Sequence, residues 1–200
     1  MIKIGLTGGI ASGKSVVTQY LRDMGAPVFD ADAASRQAVA KGTPGLQQVL
    51  QVLGSEYATP DGNLDRPRVA AKVFHDQAAR KKLEAVIHKI VWQEATAFMK
   101  QASAQGSRVV FLDVPLLIEC GWQDQVDQVW LVSLPREEQV RRAMLRDGTS
   151  AAQVEARIGT QLSLEAKKKF ADLVIDNSGS LGNTKKQVAA AWEKLQAGKL

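Results

Sequence analysis

Near the start of the chain, Gly8-Gly9-Ile10-Ala11-Ser12-Gly13-Lys14-Ser15 follows the spacing G-x-x-x-x-G-K-[ST]. Each fixed position has a chemical task. Glycines let backbone amides turn inward onto phosphate oxygens, and the lysine brings a point charge to the β and γ phosphates. The hydroxyl at the last position can give an oxygen to Mg²⁺, and a helix beginning there would aim its positive dipole end at the same anion. The pattern predicts a nucleoside triphosphate site in which Gly8, Gly9, Ala11, Ser12, Gly13, Lys14, Ser15 and Val16 make the contacts.

Three other groups could serve the same chemistry. Asp30-Ala31-Asp32 offers two carboxylates able to orient an attacking hydroxyl, although an Asp ahead of Ala33-Ala34-Ser35-Arg36 is also a helix N-cap, which would account for one of the pair. Val109-Val110-Phe111-Leu112-Asp113 is an apolar run ending in a carboxylate that could hold Mg²⁺ through water. Arg142 and Arg146 are four apart, hence on one helix face, with Val140, Ala143 and Met144 on the packing side. They could clamp phosphates from a mobile lid. Arg142 is equally well spaced to pair with Glu138, and Arg157 is a third candidate cation. His88 lies off the apolar stripe of its helix and faces either solvent or a cleft.

The elements that must position these groups can be read from periodicity. Ile2, Ile4 and Leu6 alternate with Lys3 and Gly5, a strand running into the glycine loop. Val16, Val17, Tyr20, Leu21 and Met24 then recur at helical spacing until Gly25 and Pro27 stop the helix. Further strands are expected at Val28 to Phe29, Val109 to Leu112, Val129 to Val132 and Leu173 to Ile175, with helices between. Such alternation gives an α/β fold with a central parallel five-stranded sheet between helical layers, and it gathers every strand's carboxyl end at one edge. About seventy residues separate the second strand from Val109, too many for a plain connection. Leu83, Val86, Ile87, Ile90, Val91 and Phe98 mark a long amphipathic helix there, from about Gln77 to Ala104. Pro60-Asp61-Gly62-Asn63 is an exposed turn before it. Pro115 suits the first turn of a short helix through Leu116, Leu117 and Ile118. The expected segmentation is a nucleotide-binding core of residues 1–40, 105–135 and 171–200, an inserted helical region at 41–104 and a small helical lid at 136–170.

Composition narrows the classes. At 200 residues and 45% hydrophobic content the chain can bury one full core. It has no run of eighteen apolar residues and no secretory signal, so a cytoplasmic location is expected and a membrane partner is not. One cysteine, Cys120, and two histidines leave neither an internal disulfide nor a zinc-ligand spacing. The formal charge of +5 fits an anionic partner. Its basic clusters, such as Arg80-Lys81-Lys82 and Lys167-Lys168-Lys169, are scattered and have no interleaved aromatics, which argues against nucleic acid. The four tryptophans are expected to be packing residues.

The order of these pieces resembles the dephospho-CoA kinase family over nearly the whole chain. Matching segments are Gly5-Leu6-Thr7-Gly8-Gly9-Ile10, Asp30-Ala31-Asp32, the His88 region and Val114-Pro115-Leu116-Leu117-Ile118-Glu119. Later come Arg142 to Asp147, Arg157 with Gln161, and Ala171-Asp172 through Val174-Ile175-Asp176-Asn177 to Gly179. The resemblance implies a P-loop kinase that moves the γ-phosphoryl of ATP to the ribose 3′-hydroxyl of dephospho-CoA, with Mg²⁺ as cofactor. It assigns Lys14, Asp32, Arg142 and Arg146 to catalysis, and Asp30, Asp32, His88 and Arg157 to the acceptor. Asn177 would lie near the adenine, and Ser15 and Asp113 would hold the metal, Asp113 through water. A monomer or weak homo-oligomer is expected. Two positions depart from the family pattern. Lys89 follows His88 where proline is frequent, and Ala11 stands where glycine is frequent, a change that costs little unless the loop is left-handed there. The competing readings are another small-molecule kinase, for a nucleoside monophosphate or a sugar acid, and a nucleotide-operated switch, which a macromolecular partner would stimulate.

Overall fold

The computed structural model describes residues 1–198, so the last two residues of the expected core segment, 199–200, lie outside the described residues. Five strands form one sheet: β1 (Ile2–Gly8), β2 (Val28–Asp30), β3 (Val109–Asp113), β4 (Gln128–Ser133) and β5 (Leu173–Asp176). Their spatial order is β2-β3-β1-β4-β5. β1 is parallel to both β3 and β4, with Leu6 level with Asp113 on one side and Trp130 on the other. β4 is parallel to β5, Val132 facing Ile175. Parallel neighbours require crossovers, and the crossovers are helical. Gly8, Asp113, Ser133 and Asp176 therefore end at the same edge of the sheet.

The chain divides into two compact units. The first comprises Met1–Phe29 and the chain from Gln101 onward. Helices α1 (Lys14–Asp23) and α9 (Leu181–Gln196) cover one sheet face. Val17 and Leu21 from α1 and Val188, Ala191 and Leu195 from α9 pack on Ile4, Leu6, Phe111, Trp130, Val132 and Ile175. Phe111 and Trp130 meet edge to face, 5.1 Å between centroids. Each fully buried aliphatic here contributes about 2 kcal/mol, so this layer holds rigid the strand ends that carry the site. α1 stops where the sequence indicates, with Gly25 left-handed and Ala26 N–H returning to the Leu21 carbonyl.

The second unit, Asp30–Lys100, is helical: α2 (Ala31–Ala38), α3 (Pro44–Leu53), α4 (Arg66–His75) and most of α5 (Gln77–Ala104). Asp30, Thr43 and Asp65 cap the first three through side-chain oxygens that accept N–H groups of Ala33, Leu46 and Arg68. α5 runs unbroken through His88 and Lys89, so lysine in place of proline leaves a continuous helix.

The units part the chain at 30 and 100, where the expected segmentation had 41 and 104. Residues 136–170, expected from the sequence to be a lid, form α6 (Arg136–Asp147), α7 (Ala151–Ile158) and α8 (Leu164–Lys168), and they belong to the first unit. The expected short helix over Leu116–Ile118 is absent among the described residues. A series of turns replaces it, closed by Gly121 at φ 71° with Trp122 N–H on the Leu117 carbonyl. No helix of the described residues is long and apolar enough to cross a membrane.

Candidate active site

The loop from Gly8 to Ser15 leaves β1 and enters α1. Ser12 N–H returns to the Gly9 carbonyl at 3.1 Å, and the N–H groups of Val16 and Val17 go to the Gly13 carbonyl. Among the described residues no carbonyl takes the N–H of Gly13, Lys14 or Ser15. Three consecutive donors at the positive end of α1 form an anion cradle. Gly13 is left-handed at φ 87°, and a Cβ there would stand 2.0 Å from the Asn177 amide nitrogen, so only glycine fits. Ala11 is also left-handed, at φ 54°. The expectation that alanine costs little here is thus corrected: the loop needs the region where a Cβ crowds the backbone, at about 1–2 kcal/mol.

Beneath the loop, Asp113 ends β3 and is buried. One carboxylate oxygen pairs with the Lys14 ammonium, and the other accepts the Thr18 hydroxyl at 2.6 Å. Thr18, on the next turn of α1 from Lys14, thereby fixes how the carboxylate is turned. Ser15 is exposed in the first turn of α1.

Two buried amides hold the loop from outside. Asn177, just past β5, donates from Nδ2 to the Ser12 carbonyl at 2.8 Å and accepts the Thr184 hydroxyl at 2.7 Å. Only 1% exposed, its side chain supports the loop from behind. Gln139 of α6 donates to the Ile10 carbonyl at 3.1 Å. Ile10 and Ala11 also pack on the small core of α6 and α7, Ala143, Val154 and Ile158. A cleft of about 680 Å³ opens beside this junction, lined by Gly9, Ile10, Pro135, Gln139, Gln161 and Leu164 among others.

The arginines of α6 and α7 are held by carboxylates. Arg142 donates to Glu138 at 2.8 Å and to the Asn177 carbonyl at 3.2 Å, which joins α6 to the chain after β5. Arg146 and Arg157 share Asp147, at 2.7 and 2.6 Å. Hydrogen bonds from Arg141 and Arg142 hold the Glu138 carboxyl down at about 2, and those from Arg146 and Arg157 hold Asp147 well below the usual carboxylate range. Arg142 itself is half-buried.

Asp30, Asp32 and His88 belong to the second unit. Asp30 is the cap, its carboxylate accepting Ala33 N–H at 2.8 Å. Asp32 stands exposed in the first turn of α2, and His88 is half-buried on α5.

Three features escaped sequence reasoning: Gln139, Thr18, and a buried ion pair between Lys167 and Glu119. Lys167 is fully buried, 3.0 Å from Glu119, and donates to the Pro115 carbonyl. Nothing in the spacing separates Lys167 from the flanking Lys168 and Lys169. Thr18 had a signal, lying four residues past Lys14 on the helix face that carries it.

Similarity to known proteins follows this geometry. The family model for dephospho-CoA kinase matches residues 2–183. A dephospho-CoA kinase from Symbiobacterium thermophilum is 45% identical over 195 residues, 98% of this chain and 82% of that one. One from Thermobifida fusca is 43% identical over 196 residues, 98% and 97% of the two chains. Among solved structures, TT1252 from Thermus thermophilus gives a TM-score of 0.83 at 38% identity over 97% of each chain. A dephospho-CoA kinase from Campylobacter jejuni gives 0.74 at 22% identity over 99% and 98%, a likeness of fold.

Proposed function

The chain belongs to the dephospho-CoA kinase family, and from that premise we propose how its own residues carry the transfer of the ATP γ-phosphoryl group to the ribose 3′-hydroxyl of dephospho-CoA. It is an ATP-dependent kinase, and the near full-length likeness favours this acceptor over a nucleoside monophosphate, a sugar acid or a switch function. One observation carries the reading: at the start of α1 the consecutive N–H groups of Gly13, Lys14 and Ser15 meet no carbonyl among the described residues, and the Lys14 ammonium is held on Asp113.

The β and γ phosphates lie against these amides. Lys14 exchanges its carboxylate partner for phosphate oxygens, which brings its charge where negative charge spreads in a loose transition state. Oxygen donors suited to Mg²⁺ are present: the exposed Ser15 hydroxyl and the Asp113 carboxylate that Thr18 orients. The described residues contain no cluster of three His, Cys, Asp or Glu that could hold a metal. When bound, Mg²⁺ would supply charge neutralisation on the phosphates. Ser15 would hold it directly and Asp113 through water.

Asp32 orients the acceptor hydroxyl. Its exposure supports this, as does the commitment of the neighbouring Asp30 to capping. A carboxylate is a far weaker base than a sugar alkoxide, so positioning outweighs basicity. His88 from the second unit and Arg157 from the first are assigned to the acceptor, Arg142 and Arg146 to the transferring phosphoryl group, and Asn177 to the nucleotide through the loop that it holds. The protein acts in the cytoplasm, as a monomer or weak homo-oligomer.

The test is ADP release with dephospho-CoA, nucleoside monophosphates, sugar acids, RNA and DNA offered in turn. Only dephospho-CoA should support turnover, and a better rate with any other acceptor would overturn the assignment. Asp32→Asn should lower kcat on the order of 10²-fold or more while the KM for ATP stays close to wild type. An unchanged kcat would reduce Asp32 to a helix-terminus residue.

A further inference from the structure

We propose that Gln139 is a positioning residue for phosphoryl transfer, its buried amide aiming an N–H group of the phosphate loop by holding the carbonyl of the same peptide. Gln139 lies in the second turn of α6 and is 4% exposed. Its Nε2 donates to the Ile10 carbonyl at 3.1 Å. A trans peptide is planar, with C=O and N–H on opposite sides. Fixing the Ile10 oxygen toward α6 therefore turns the Ala11 N–H away from α6. Asn177 does the same to a second peptide, holding the Ser12 oxygen so that the Gly13 N–H points the other way. The residue that follows each held peptide, Ala11 after the first and Gly13 after the second, is left-handed, a backbone turn that tips loop amides toward one concave side.

The fit at Gly9 is close. A Cβ there would stand 2.3 Å from the Gln139 nitrogen, so the amide presses on bare backbone. Because Gln139 belongs to α6, the arrangement also ties the lid to the loop. Ile10 and Ala11 fill the apolar side of the α6 and α7 core, and Gln139 supplies the polar side. Released from the amide, the loop would sample other peptide orientations, and the nucleotide would bind only the fraction still correctly turned.

This inference rests on the phosphate-binding reading of the loop, and the experiment separates the two. Calorimetric titration with ADP in the presence of Mg²⁺ is run on wild type, Lys14→Ala, Gln139→Leu and Gln139→Glu, with hydrogen exchange followed at residues 8–15. Gln139→Glu keeps the shape without the amide donor, so it decides the question if Gln139→Leu fails to fold. The expected result is about tenfold weaker ADP binding in both Gln139 variants. Loop amides should exchange faster, and the KM for dephospho-CoA should not change. Wild-type affinity and exchange in a folded Gln139 variant would make the residue packing only and overturn the proposal. Failure of wild type itself to bind ADP would instead remove the phosphate-loop reading.

Discussion

The phosphate loop and the proposed lid, helices α6 to α8, both hold cations on carboxylates, yet they do so in opposite ways. At the loop, Lys14 pairs with a buried Asp113 whose other oxygen is fixed by Thr18, and the surrounding carbonyls are held by two buried amides. In the lid, Arg146 and Arg157 are each about half exposed and share Asp147, while Arg142 leans on Glu138. Coulomb attraction is stronger away from water, and so is the penalty for losing a partner. The loop is therefore built in advance, at a cost in strain at Ala11. The arginines of α6 and α7 keep to partly exposed pairs that water already weakens.

The largest expected effect tests the loop side. Lys14→Ala should lower kcat by at least on the order of 10³-fold. It should also destabilise the fold by about 3 kcal/mol, because Asp113 is left charged and buried. The double variant Lys14→Ala with Asp113→Asn should recover much of the melting temperature and none of the activity. Calorimetric melting and ADP release read the two quantities separately. Independent, additive losses in stability would mean that the ammonium and carboxylate are not coupled as the geometry requires.

The lid should behave otherwise. Arg142→Ala is expected to lower kcat on the order of 10²-fold while the melting temperature moves by less than about 4 °C. Arg146→Ala and Arg157→Ala should be milder in both respects. If Arg142→Ala were as destabilising as Lys14→Ala, the contrast would fail, and the lid would count as prebuilt structure.

The difference between loop and lid also governs what could be read from sequence. The strands, α1 and the full extent of α5 were legible because burial on one face imposes a period of two or 3.6 on the residues. The cradle was legible because its glycines, lysine and serine are set by chemistry at fixed spacing. α3 and α4 carried usable signals in Thr43-Pro44 and Asp65-Arg66-Pro67, a capping oxygen followed by proline at the helix start, and in α3 Leu46, Val49, Leu50 and Leu53 recur at helical spacing as well. The supports were not legible. Gln139 and Asn177 act across 129 and 165 positions of chain, and no local pattern encodes which distant carbonyl an amide will meet. The left-handed turn at Ala11 was hidden for the same reason, since neighbouring contacts and not local preference impose it.

A smaller effect follows from pH. The hydrogen bonds of Arg141 and Arg142 lower the Glu138 carboxyl from an ordinary value near 4.5 to about 2. A depressed folded value means the pair adds stability above the unfolded value and loses it as pH falls toward the folded one. The melting temperature of wild type should therefore exceed that of Glu138→Gln slightly at pH 6, with the gap closing between about 4.5 and about 2. Screening by water keeps the gap small. A gap that widened on acidification would show the pair to be something other than an exposed, replaceable contact.

Ala11 is where the two regions meet, and its substitution should have the smallest net effect. Ala11→Gly removes a left-handed Cβ worth about 1–2 kcal/mol of strain, while glycine returns about 0.4–1 kcal/mol to the unfolded chain as entropy. It also withdraws a methyl that packs with Ala143, Val154 and Ile158 of the lid, a contact of about 0.8 kcal/mol at full burial. These terms nearly cancel, so the melting temperature should stay within about 3 °C of wild type. ADP affinity should hold or improve slightly, because Gln139 and Asn177 still turn the peptides on either side. Destabilisation well beyond that range would mean that the methyl matters more to the lid than its strain costs the loop. Loop and lid would then be one packed body, and the arginines would owe their positions to Ala11 as much as to Glu138 and Asp147.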